Sequence, residues 1–115
     1  MNKNLEELTM LRKSAFEIAD FLKDNPENPV SLSLFLLRLG IRNAGVEDKL
    51  IKKTAEIAFG ADDPMELTVE DFQHEFHKIA SQISDAPDET EQTIYIVTWI
   101  GQHLFPRVYP IAMNL

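Results

Sequence analysis

Thr93 to Ile100 reads TIYIVTWI, and the fold class turns on whether these eight residues make a strand or a helix. Period-two alternation and β-branched side chains argue for a strand. No comparable run elsewhere in the chain offers it a pairing partner, and a lone strand would expose an unsatisfied edge. Asp88, Glu89 and Glu91 lie just ahead of it, and acidic residues there suit the positive end of a helix dipole. The reading adopted is therefore a helix over about 88–105, with edge-to-edge dimerisation as the consequence if the stretch were a strand.

The other elements also read as helical. Leu8, Leu11, Ala15, Ile18, Ala19 and Leu22 recur at three- and four-residue spacing, which predicts a first helix over about 4–23 with one apolar stripe. Met10 and Phe21 fall on its other side, either singly exposed or as a second contact surface. After DNPENP, Asn28 and Pro29 read as N-cap and first residue of a second helix. That helix is expected over about 30–43, with Gly45 near its end. Its leucine-rich surface goes nearly all round, which marks it as central in a bundle or as half of an interface. A third helix is expected over about 47–59 with Gly60 as its stop. A fourth is expected from the Thr68 cap to about Ser84, with Leu67 and Phe72 as a hydrophobic staple. The final stretch, FPRVYPIAMNL, contains two prolines and reads as extended. The expected fold is all-α: a single domain over 1–115, built as a bundle of four to five helices with a short extended C-terminal tail.

Composition limits the functional classes. The chain has 115 residues and no cysteine, so disulfides, thiolate nucleophiles and thiolate metal ligands are all ruled out. No secretory h-region opens the sequence, and no apolar run approaches the length of a bilayer span. A cytoplasmic location is the expectation. The net charge of −8 is unevenly distributed. Residues 1–59 are balanced, whereas residues 60–115 carry only Lys78 and Arg107 against Asp62, Asp63, Glu66, Glu70, Asp71, Glu75, Asp85, Asp88, Glu89 and Glu91. Such a field disfavours direct contact with nucleic acid or membrane and attracts a basic protein surface. The plainer reading of the same charge is solubility.

The stretch TVEDFQHEFHKI, Thr68 to Ile79, is the candidate site for chemistry. On a helical wheel Glu70, His74 and His77 fall within an arc of about 60° opposite Phe72. A carboxylate and two imidazoles on successive turns could hold zinc or nickel if further ligands came from elsewhere. The spacing is not HExxH, and the trio is expected to face solvent. An EF-hand register starting at Asp62 fails, because Pro64 and Gln73 occupy ligand positions. No nucleotide-binding or nucleophile-elbow string occurs. The chain is therefore expected to be non-enzymatic and to need no cofactor. The expectation is an acidic interaction module (inhibitor, adaptor or assembly factor) docking a basic partner through residues 62–91, with mimicry of nucleic-acid phosphates as a special case. A metal-dependent enzyme or regulator using Glu70, His74 and His77 is the alternative. Tyr95, Trp99, Phe105, Arg107 and Tyr109 are of the types that dominate binding hot spots, and also of the types that fill cores. The apolar second helix and the tail leave a homodimer open.

Overall fold

In the computed structural model, which describes residues 3–115, TIYIVTWI lies inside a helix, α5 (Glu91–His103). Thr93, Tyr95, Ile96, Val97, Thr98 and Ile100 are all buried. A helix enclosed on nearly every side loses the polar face that would reveal a 3.6-residue period, so its apolar pattern looks strand-like. Burial of these side chains overrides their modest helix propensity. The described residues contain no strand, only an isolated bridge between Asn25 and Asn28.

Five further helices complete the described architecture: α1 (Lys3–Phe21), α2 (Leu32–Arg38), α3 (Ala44–Gly60), α4 (Val69–Ile79) and α6 (Tyr109–Met113). Short 3-10 turns lie at Pro64–Glu66 and Pro106–Val108. The described count is thus six rather than four or five. Helix α5 packs on α3, α4 and α6, and the core gathers Leu32, Leu36, Leu50, Phe72, Phe76, Ile83, Ile96, Val97 and Ile100.

Several boundaries depart from the sequence expectation for identifiable reasons. Ser31, not Asn28, caps α2, its hydroxyl accepting from the Leu34 N–H at 3.2 Å. Asn28 instead closes the preceding turn, donating its N–H to Asn25 Oδ1 at 2.9 Å. Helix α2 is only seven residues long because Gly40, at φ +85°, takes the left-handed position that ends it. The Ile41 and Gly40 N–H groups then reach back to the Leu36 and Leu37 carbonyls, both at 3.0 Å. Gly45 therefore lies in the first turn of α3, whose cap is Asn43.

Helix α4 stops at Ile79 rather than near Ser84, and the chain turns back beside it. Thr68 does cap α4, with Asp71 Oδ2 accepting the Thr68 N–H at 2.8 Å. The C-terminal stretch is helical instead of extended. Pro106 and Pro110 each sit at the start of a helical turn, where a missing N–H leaves no bond broken. Val108, Ile111 and Ala112 are buried in the core. Gly101 permits that closure: a Cβ there would meet Tyr109 backbone atoms at 2.7 and 2.8 Å. The apolar α2 and the tail are thus used within the molecule.

Helix α1 forms at the expected place, and Ala19 is its one buried residue. Leu5, Leu8, Met10, Leu11, Ile18, Phe21 and the following Leu22 are 49–85% exposed. The molecule measures 55 × 27 × 25 Å, and its radius of gyration of 15.0 Å exceeds the roughly 13 Å of a compact chain this long. Near its C-terminal end α1 is held to the body, where the Arg38 guanidinium lies 5.0 Å from the Phe16 ring centre and 3.8 Å from Asp20 Oδ1.

Candidate functional site

The acidic residues singled out in the sequence fall into two neighbouring groups. Nine of the ten are exposed, Glu75 being half-buried and 3.5 Å from Lys78 Nζ. Asp62, Asp63 and Glu66 surround the 3-10 turn at Pro64–Glu66, where the Asp63 carboxylate accepts the Met65 N–H at 3.0 Å. Asn114 donates to the Met65 carbonyl at 2.9 Å and so binds this turn to the C-terminal end. Asp62 and Arg107 line one cleft there, so part of this group lies beside one of the two basic residues of 60–115.

The second group is built on α4 and the segment that folds back beside it. Gln73 is buried, and its Nε2 donates to the carbonyls of Ala86 at 2.9 Å and Glu89 at 3.2 Å. Gln92 Oε1 accepts the Ser84 N–H at 2.8 Å. These bonds hold residues 84–92 along the flank of α4 that also carries Glu70 and His77, one turn to either side of Gln73. Asp85 is thereby set beside His77, and Asp88, Glu89 and Glu91 follow on the same segment. Sequence reasoning missed Gln73, since a lone glutamine in a helix carries no pattern. The proximity of the segment depends on where α4 stops.

His74 and Glu70 are exposed, as the wheel projection expects. His77 is not simply on a wet face. Its Nδ1 lies 2.7 Å from the Ile83 carbonyl, and because a carbonyl only accepts, Nδ1 carries the hydrogen. Its Nε2 is 3.7 Å from Asp85 Oδ2. Among the described residues no group of three or more His, Asp or Glu side chains is arranged to hold a metal ion, and Glu70, His74 and His77 do not converge.

The candidate hot-spot residues serve the interior to different degrees. Tyr95 is buried and stacks on Phe35 with ring centres 4.0 Å apart. Trp99 is half-buried, donating from Nε1 to the Val30 carbonyl at 3.4 Å. Phe105 meets the Phe59 ring edge-on at 5.9 Å, and Arg107 lies 6.0 Å from the Phe59 ring centre. Arg107 and Tyr109 are exposed. These five residues therefore form no single patch of exposed surface.

A polar centre unmarked in the sequence is Asp24, whose side chain is 1% exposed. Its Oδ1 accepts the Tyr95 hydroxyl at 2.7 Å and the Val30 N–H at 3.0 Å, while Oδ2 accepts Arg38 Nη1 at 3.2 Å. The Tyr95 oxygen accepts the Ser31 N–H at 3.2 Å. Burial, followed by the hydrogen bond to the Asp24 carboxylate, pushes the Tyr95 phenol up to about 12. The network joins the end of α1, the approach to α2, and α5. Its groups satisfy one another, so it fixes the direction in which α1 leaves the body.

No helix among the described residues is long and apolar enough to cross a membrane. No family model matches the chain, and neither does a curated protein or a solved structure.

Proposed function

We propose that this chain is a non-catalytic interaction module that docks a basic protein surface through its acidic 62–91 region, as an inhibitor, adaptor or assembly factor. The observation that carries the reading is the segregation of charge: ten carboxylates with one lysine among them, nine of them exposed. The part best suited to docking is the flank of α4 with the segment beside it, where Gln73 holds the backbone that presents Asp85, Asp88, Glu89 and Glu91. Fixed carboxylates lose less freedom on binding than carboxylates on a wandering loop, which favours affinity. Lysine- and arginine-rich surfaces that ordinarily hold phosphates fit the same field, so a nucleic-acid-binding protein is a natural partner class.

Affinity capture from native lysate at low and high salt, with and without Glu70→Lys and Glu89→Lys together, tests this reading. A basic protein retained at low salt, released at high salt and lost with the charge-reversed variant is the expected result, because steering by opposite charge is screened by ions. Retention indifferent to both salt and charge reversal overturns it.

A further inference from the structure

We infer that α1 is a dimerisation helix and that the occupant of its exposed stripe is α1 of a second copy, running parallel to the first. This rests on a different surface from the acidic docking region and stands independently of it. Leu8, Leu11, Ala15, Ile18 and Leu22 alternate three- and four-residue steps, the spacing of a coiled-coil seam. A helix of 19 residues is marginal in water without tertiary packing, and here Ala19 is its one buried residue. The bare side chains on or beside the seam, Leu5, Leu8, Leu11, Ile18 and Leu22, offer on the order of 500 Å² per copy, against the ~800 Å² per partner of a standard interface. From both copies that is about 1,000 Å², the order expected of a small specific contact.

Charge selects a second copy and its direction. With Leu8 and Leu11 in the seam, Glu7 and Arg12 are the charged residues on the two flanking positions. In a parallel pair the flanking position of one helix meets the opposite flank five residues later on its partner. Glu7 therefore faces Arg12 of the second copy, twice by symmetry. An antiparallel pair sets each flank against its own kind and makes no such match.

The groove beside α1 agrees with this. It has a volume of about 720 Å³ and is walled by Leu5, Leu8, Leu11 and Arg12 on one side and by Leu37 and Arg42 on the other. Leucines with two guanidiniums suit an incoming helix that carries leucines and a flanking glutamate. The body of each copy lies on the Arg12 side of its own helix, as the groove and the Arg38 contacts show, so a parallel pair places the two bodies on opposite sides. The charge-balanced first half of the chain brings no net repulsion to this contact.

Sedimentation equilibrium of the full chain over a concentration series tests the inference. Wild type is expected to reach dimer mass by about 100 µM. Leu8→Asp with Leu11→Asp is expected to weaken association at least ~100-fold while thermal unfolding shows the body still folded. Glu7→Arg alone is expected to weaken it about three- to tenfold, and Glu7→Arg with Arg12→Glu to restore it. Wild type that stays monomeric at about 100 µM, with or without sedimenting on phosphatidylcholine–phosphatidylglycerol vesicles, overturns the proposal. A dimer that survives Leu8→Asp with Leu11→Asp also overturns it. A dimer not restored by the charge swap overturns the parallel arrangement.

Discussion

Helices α1 and α5 are both rich in large apolar residues, yet they sit at opposite extremes of the molecule. Seven of the 13 residues of α5 are buried, against one of the 19 in α1. The stripe on α1 is the more regular of the two, and it is the one left bare. Periodicity therefore reports that a helix has something to cover, and does not report what covers it. The difference between them arises at Lys23 to Asn28. Lys23 takes a positive φ of 58°, and the Asn25–Asn28 turn and Asp24 then direct the chain into the body. Helix α1 is left pointing away.

The largest expected effect tests the buried member of the pair. Ile100→Ala, at a fully buried position on α5, should lower unfolding free energy by about 2–5 kcal/mol. Urea denaturation followed by far-ultraviolet circular dichroism measures it. A loss below about 1 kcal/mol would mean that α5 is not enclosed at Ile100.

An intermediate effect belongs to the junction between the two helices. Asp24→Asn keeps the shape but removes the charge that faces Arg38 and the Tyr95 hydroxyl, and should cost about 1–3 kcal/mol. The same junction gives a pH dependence. Tyr95 titrates at its ordinary 10.0 in the unfolded chain and at about 12 in the folded one, so the folded state holds the phenolic proton more tightly. Its contribution is complete below pH 10 and is lost as pH rises through 12. Wild type should therefore lose more stability than Tyr95→Phe between those two pH values. Equal losses in the two proteins would mean that neither burial nor the Asp24 carboxylate holds the Tyr95 proton in the folded state.

What the sequence revealed and concealed follows the same division. Local signals carried the all-helical class, the Thr68 cap and the positions of α3 and α5, because dipole, capping and spacing act within a few residues. The end of α2 was misplaced because Gly40 and Gly45 are equally plausible stops until the Leu36 and Leu37 carbonyls are seen to need partners. The helical tail was hidden because prolines at the first position of a turn look like breakers anywhere else. In the candidate site, the ten acids were countable in the sequence. Their grouping was not, since it depends on Gln73 reaching residues 13 and 16 positions away. The Asp24–Tyr95 bond spans 71 positions, and no pattern in the chain points across such a distance.

The smallest expected effect gives the sharpest test of the exposed member. Leu11 is 66% exposed in the single chain, so Leu11→Ala removes few contacts there and gains slightly in helix propensity. At micromolar concentration its unfolding free energy should stay within about 0.5 kcal/mol of wild type. A cost of about 2 kcal/mol under those conditions would place Leu11 in an intramolecular core and erase the contrast with α5. Repeated at higher concentration, the same substitution should become destabilising, because a side chain bare in the monomer is then covered by a second helix and its loss lowers the population of the assembled form. A cost that appears only on concentration separates a helix awaiting its partner from one that is merely solvated.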